Sequence, residues 1–196
     1  MEDKDLVNRL LQGETALFAT VIRQTEGLVA QIVFKLIKNP EDRRDLAQDT
    51  YLKVFKNLSG FHYQSKLITW IGQKAYKTCL SNIEKKKLIL LDANDAVNEN
   101  EEGVLEYLSN KTIPIGDNES EQRLFRAELS ELIQSAMETL SPVYKLLLTM
   151  YHYEELSYDE IALITQLPVG TVKNYLFRAR KSLKDRLLEK YNKEIL

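Results

Sequence analysis

The sequence predicts an all-α protein: two small helical domains joined by a flexible acidic linker, the C-terminal one a helix-turn-helix domain. Three observations predict it. Apolar residues recur at three- and four-residue intervals through both ends of the chain, the spacing of one helical face. The 196 residues include only 7 Gly and 4 Pro, too few for a turn-dense all-β chain, while 44 % hydrophobic residues suffice for a buried core. Charge is segregated: residues 1–87 carry 15 Lys/Arg against 10 Asp/Glu, residues 88–124 carry 2 against 9, and residues 169–193 carry 8 against 2. Two basic ends and an acidic middle, hidden within a net charge of −2, point to a polyanionic partner.

Taken in order, Leu17, Val21, Leu28, Ile32, Phe34 and Leu36 mark a long first helix that ends near Asn39. Pro40-Glu-Asp-Arg opens the next, with Pro early and acids in the first turn, where the helix dipole favours them. Leu46, Val54 and Leu58 carry it to a stop at Asn57–Gly60. Phe61-His-Tyr-Gln is a short aromatic loop, and Ser65 to Lys87 is a helix with Leu67, Ile71, Ala75 and Leu80 on one side and a Lys series on the other. Residues 88–124 hold nine acids, Asn94, Asn98, Asn100 and Asn110, and the turn-prone Ile113-Pro-Ile-Gly-Asp-Asn, and read as a linker with a transient helix around Val104–Leu108. The domains are therefore 1–87 and 125–196, with the linker at 88–124.

The second domain has the sharper signals. Ser141-Pro142 is an N-cap followed by Pro at the first helical position. Ser157-Tyr-Asp-Glu160 is a capping box that opens a short helix, and Thr165-Gln-Leu-Pro-Val-Gly170 is a tight connection into a last helix. There Val172, Leu176, Ala179 and Leu183 form a buried stripe, while Thr171, Asn174 and Arg178 line another face with Lys173, Arg180, Lys181 and Lys184 nearby. Two helices, a short turn and a polar-basic outer face describe a helix-turn-helix. Short polar side chains near the start of such a helix reach base edges, flanking cations neutralise phosphates, and Phe177 is placed to touch a thymine methyl.

Other chemistries find little support. The single Cys79 excludes an internal disulfide framework and a cysteine-based zinc finger, and it reads as a small packing residue. His62 and His152 fall in different domains, so a shared metal or catalytic site is not expected; His152 reads as a partly buried helix residue. The carboxylates show no paired acid–base pattern, there is no Gly-rich phosphate loop, and the Tyr-rich stretch at 144–158 is most simply core. No catalytic residue, cofactor, metal or small-molecule substrate is therefore expected. No continuous apolar run approaches the roughly 18–20 residues of a membrane span, and the N-terminus lacks a secretory layout, so a cytoplasmic setting without membrane insertion is expected.

Two separated segments resemble bacterial RNA polymerase sigma factors of the extracytoplasmic-function (ECF) group. Asp45-Leu-Ala-Gln-Asp-Thr-Tyr-Leu-Lys-Val-Phe is similar to the family's polymerase-docking helix, and Phe61 and Trp70-Ile-x-x-x-Ala follow at the family's spacing. Leu156-Ser-Tyr-Asp-Glu-Ile-Ala and Pro168-Val-Gly-Thr-Val-Lys-Asn-Tyr-Leu-Phe-Arg-Ala-Arg resemble its promoter-binding C-terminal domain. The resemblance implies a region 2-like domain at 1–87 and a region 4-like domain at 125–196. It implies docking of Asp45, Leu46, Gln48, Asp49 and Leu52 on the coiled coil of the polymerase's largest subunit, with the polymerase flap as a further contact. It implies capture of the melted minus-ten strand by Phe61, His62, Tyr63, Gln64, Ser65 and Lys66, with Trp70, Lys74 and Lys77. Thr171, Lys173, Asn174, Phe177, Arg178 and Lys181 would read the minus-thirty-five duplex, and an anti-sigma factor is the further partner expected.

The chain departs from the family's pattern at Lys77 in place of an Asn, Lys74 in place of an aliphatic residue, Ser81 where an Asp is common, and Arg44 where an acid precedes the docking Asp. These departures bear on promoter preference. Two other readings stay open on the residues alone: a stand-alone helix-turn-helix regulator that binds operator DNA without polymerase, and a helical adaptor that binds no DNA.

Overall fold

The computed structural model describes residues 3–90 and 130–194, all helical or connecting, with no strand among them. Helix α1 is Asp3–Leu11, followed by a 3₁₀ turn at Thr15–Leu17, α2 (Phe18–Leu36) and α3 (Pro40–Lys56). A second 3₁₀ turn, Leu58–Gly60, leads through the aromatic loop into α4 (Leu67–Leu90). After the undescribed stretch, α5 covers 130–138, and α6 (Pro142–His152), α7 (Tyr158–Thr165) and α8 (Val169–Glu194) complete the chain. Residues 88–90, expected in the linker, continue α4. The rest of the linker and its transient helix lie outside the described residues.

The expected caps form. The Asn39 side chain accepts from the Glu41 amide at 3.0 Å, with Pro40 at the first helical position of α3. Ser141 Oγ accepts from the Tyr144 amide, and Ser157 and Glu160 close a reciprocal capping box at 2.9 and 3.2 Å. Each such cap offsets amides that the first helical turn leaves unbonded, about 1 kcal/mol apiece. One cap comes from far along the chain: the Leu67 amide at the start of α4 donates to Asp3 Oδ2 of α1 at 2.8 Å.

Helix α2 packs on α3, α4 and α6, and α4 packs on α2, α3 and α7. The stretch Thr15–Leu36 is long and apolar enough to cross a membrane by length and composition, although no continuous apolar run appears in the sequence. Its apolar residues Val21, Leu28, Val29, Ile32 and Val33 are buried in the core. The two halves share that core: Leu28, Ile32 and Ile71 from the first and Leu147, Met150, Ile161 and Ile164 from the second are all fully buried in one cluster. Burial of side chains this size stabilises by roughly 1.5–3 kcal/mol each.

The two halves meet without an intervening side chain at Gly72 of α4. A Cβ there would lie 3.0 Å from a Leu28 methyl and 3.1 Å from an Ile164 methyl, so the absent side chain is what lets α7 sit down on α4. Around this contact, Gln73 Nε2 donates to the Leu163 carbonyl at 3.0 Å and Lys66 pairs with Glu160 at 2.8 Å. At the other contact, beside Gly27 of α2, Glu154 Oε1 is buried without a hydrogen-bond partner among the described residues. Burial pushes that carboxyl up from its ordinary value.

Cys79 is fully buried and burial pushes its thiol up to about 12, which fits a packing residue. His152 is exposed rather than partly buried, because it ends α6 and turns to Arg180, whose Nε donates to its Nε2 at 3.3 Å. Partial desolvation of the ring where it meets Arg180 and Tyr151, then the Arg180 charge, lower its pKa. Of the Tyr-rich stretch, Tyr144, Tyr151 and Tyr158 pack on the core, whereas Tyr153 is 73 % exposed.

Candidate nucleic-acid interface

The first candidate surface is the loop between α3 and α4 and the start of α4. Tyr63 has a positive φ of 57°, a left-handed conformation that costs a non-glycine residue roughly 1 kcal/mol or more. Its hydroxyl donates to Asn8 Oδ1 at 3.1 Å, tying the loop to α1. The rings form a ladder: Tyr63 to Phe61 at 4.9 Å, Phe61 to Trp70 at 5.4 Å, and the Lys74 ammonium 4.9 Å above the Trp70 ring. Beside this ladder is a cavity of about 220 Å³ that Phe61, His62, Gln64, Ser65 and Trp70 help to line.

The structure corrects the expected role of Phe61. Only 4 % of it is exposed, and it belongs to the core cluster, so it is a wall of the cavity rather than an open stacking platform. Trp70 is partly exposed, and His62, Tyr63, Gln64 and Lys77 are exposed. Lys66 is exposed too but spends its charge on Glu160 of α7, whose carboxyl that ammonium, helped by Ser157, holds below its ordinary value. Thr69, Gln73 and Leu163 also line the cavity, and none of them was expected there. The aromatic residues marked the loop, but nothing in the sequence announces that α7 supplies a wall.

The second candidate surface is α3. Asp45, Gln48, Asp49 and Leu52 fall at helical spacing on one exposed face, with Leu52 49 % exposed. Leu46 does not join them: it is 6 % exposed and points into the core, since its position is one residue out of phase with that face. Phe55 takes its place. It is 44 % exposed, lies three residues beyond Leu52, and packs edge-on against Phe18 at 5.1 Å. The i+3 spacing from Leu52 was the signal for it.

The third is the helix-turn-helix, α7 and α8. The connection is tighter than expected: Gln166 takes a left-handed φ of 61°, and α8 begins at Val169, before Thr171. Val172, Leu176 and Ala179 are fully buried against α6 and α7. Lys173, Asn174 and Lys181 are exposed, and Thr171, Phe177 and Arg178 are half-buried. Arg180 is the residue sequence reasoning left at the margin. Its guanidinium lies 4.7 Å over the Tyr151 ring, which stacks on Tyr158 at 5.0 Å, and Lys173 approaches the Tyr158 ring at 5.8 Å. Hydrogen bonds with Tyr151 and Arg180 lower the Tyr158 phenol below its ordinary value.

No group of three or more His, Cys, Asp or Glu among the described residues is arranged to hold a metal ion. What the three surfaces offer is an aromatic cavity, an acidic-apolar helix face and the polar-basic face of a helix-turn-helix.

Comparison with known proteins gives the same order of parts. The sigma-70 region 2 model matches residues 21–88 and the sigma-70 region 4 model matches residues 130–183. The ECF sigma factor SigW of Bacillus subtilis is 26 % identical over 185 residues, covering 94 % of this chain and 96 % of that protein. The ECF sigma-E factor of Escherichia coli is 26 % identical over 191 residues, covering 95 % of each. The fold is similar to that of RpoE from Bartonella quintana, solved with the anti-sigma factor NepR (TM-score 0.61, 19 % identity, 87 % of this chain and 96 % of that one). It is also similar to CnrH, solved with the cytosolic domain of CnrY (TM-score 0.60, 18 % identity, 96 % and 97 %). The cavity and acidic helix fall in the region 2 match and the recognition helix in the region 4 match, and the chain belongs to the ECF group of sigma-70 transcription initiation factors.

Proposed function

We propose that this sigma factor docks on core RNA polymerase through Asp45, Gln48, Asp49, Leu52 and Phe55. It captures one unstacked base of the minus-ten strand at the Phe61–Trp70 cavity and reads the minus-thirty-five duplex through Thr171, Lys173, Asn174, Phe177, Arg178 and Lys181. The observation that carries this reading is the aromatic-walled cavity with Lys74 and Lys77 on its helix, in one chain with a helix-turn-helix. An extruded base regains on aromatic rings the stacking it lost, about 1–3 kcal/mol, while cations hold the backbone. Tyr63 and Trp70 supply that surface, and Phe61 fixes them from beneath.

Strand opening is then driven by binding free energy shared with the polymerase, and the chain contributes no covalent chemistry of its own. Its place is the cytoplasm, with the polymerase and the promoter. An anti-sigma factor is the partner that would hold it in reserve, as NepR is found on its sigma factor. The separate regulator without polymerase is the weaker reading, since it leaves the exposed Leu52–Phe55 face without a partner.

The closed packing also implies an opening step. Elements centred near minus ten and minus thirty-five are separated by roughly 85 Å of duplex at about 3.4 Å per base pair. Halves that share a core cannot reach both, whereas the 39 residues between 90 and 130 can span up to about 130 Å. The test is transcription in vitro with core polymerase, with and without the chain. Promoter-specific transcripts only in its presence support the reading; duplex binding without any polymerase association overturns it.

A further inference from the structure

Two polar groups in the cavity have no role in the reading above. Thr69 is 1 % exposed, lines the cavity, and its Oγ1 has no hydrogen-bond partner among the described residues. The buried threonines Thr25, Thr50 and Thr165 each donate back to the carbonyl four residues earlier, at 2.8, 2.7 and 2.7 Å. Thr69 does not, and a buried hydroxyl left so costs about 1–3 kcal/mol. Gln73, one turn further along the same face of α4, lines the cavity as well, and its amide is engaged by the Leu163 carbonyl at 3.0 Å. That carbonyl belongs to the last turn of α7, where the helix itself leaves it unbonded.

From this geometry we propose that Thr69 and Gln73 read the hydrogen-bonding edge of the captured base, and that docking of α7 withholds Gln73 from it. The inference rests on the assignment of the cavity to an extruded base. With α7 in place the space is about 220 Å³, below the ~300–1,000 Å³ of drug-sized ligand sites, and its α4 and loop walls suit one planar ring once Leu163 withdraws. A carboxamide sets a donor beside an acceptor, as the Watson–Crick edge of an unpaired base does, and the Thr69 hydroxyl can serve either way. A site built to hydrogen-bond its ligand rejects the mismatched one, whose edge would leave buried groups unpaired. Base capture and closure then compete for one amide, and Leu163 must leave the cavity wall as the base arrives.

The experiment measures binding of single-stranded minus-ten oligonucleotides, with each base in turn at each position, to holoenzyme assembled from the full chain and core polymerase. The parent should prefer one base at one position. Gln73→Leu and Thr69→Val should flatten that preference about tenfold there and leave the ratios elsewhere intact, and Gln73→Glu, which keeps the acceptor and loses the donor, should re-rank the bases. A purely structural role would weaken all four bases alike. If no strand binds the parent holoenzyme, the cavity assignment itself fails. If strands bind with a preference that all three variants preserve, the base-reading role is overturned. In the free chain, saturating strand should speed hydrogen exchange in α7; bound strand with α7 exchange unchanged overturns the competition.

Discussion

The Lys66 ammonium lies 2.8 Å from a carboxylate oxygen of Glu160, joining the loop beside the cavity to the first turn of α7. Glu160 also completes the capping box with Ser157. One carboxylate thus starts a helix of the recognition unit and holds that unit against the other half of the chain. Lys66, a cation suited to a DNA backbone, is occupied while the chain is closed.

Acid should therefore loosen α7. The Glu160 carboxyl sits below its ordinary 4.5, chiefly through Lys66 and then Ser157. A depressed native pKa gives stability that is present above about 4.5 and is lost as pH falls through the native value. Hydrogen exchange in α7 should accelerate over that window, and Lys66→Gln should shrink the effect without abolishing it, because the capping hydrogen bonds remain. Raising salt from about 0.1 to 1 M, which shortens the screening length from ~10 to ~3 Å, should mimic the Lys66→Gln variant at neutral pH. Exchange indifferent to both would remove the pair from the closing contact.

Gly72 is the steric key to closure. A β-carbon there already meets Leu28 and Ile164 at 3.0–3.2 Å, so a longer side chain must displace α7. Alanine would gain about 1 kcal/mol of helix propensity against a small shift of two methyl groups, and should leave the chain closed. Gly72→Leu should open it: the radius of gyration by small-angle scattering should rise while helical circular dichroism is retained. An unchanged radius for the leucine variant would mean the halves are held elsewhere.

The two leucines of α3 should separate stability from docking. Leu46 is 6 % exposed and Leu52 49 %. Leu46→Ala should cost about 2–5 kcal/mol of stability, as other buried leucines do. Leu52→Asp should leave the thermal transition within a degree or two yet abolish co-elution with core polymerase, and Phe55→Ala should weaken it. Stable Leu46→Ala would mean that Leu46 contributes little to the core, and polymerase binding by Leu52→Asp would place the docking surface on another face.

Much of the local structure was legible because its causes are local. Asn39-Pro40, Ser141-Pro142 and the Ser157–Glu160 box start helices where hydrogen bonding over two or three residues decides, and the Val172-Leu176-Ala179 stripe follows from helical period alone. The failures share one cause, that an apolar stripe says a face is buried without saying against what. Leu46 and Phe61 have the residue types of a contact surface, but the phase of α3 points Leu46 inward, and Phe61, just after the second 3₁₀ turn, packs into the core. The seating of Ile164 on Gly72 depends on a side chain that is absent, and Thr69 and Gln73 are polar residues in a helix that pattern reading counts only by its leucines and lysines. Asp3, which caps α4 across 64 positions, has no signature at all in the sequence.

Glu154 should act on closure with the opposite sign to Glu160. Its Oε1 is buried beside Gly27 of α2 with no hydrogen-bond partner among the described residues, and burial raises its carboxyl above the ordinary 4.5. A raised native pKa means that the closed form holds the proton more tightly than the open one. Its contribution is therefore fully present below about 4.5 and is lost as pH climbs through the native value. Glu154→Gln keeps the shape and removes the charge. At neutral pH it should stabilise the closed chain by about 1 kcal/mol or less, since one polar atom still lacks a partner, raising the melting temperature by up to ~2–4 °C. Above about 4.5 it should also flatten the slope of stability against pH on that limb, while the acid limb set by Glu160 persists. A variant whose pH profile overlays the parent's at every point would move the titration away from this carboxylate.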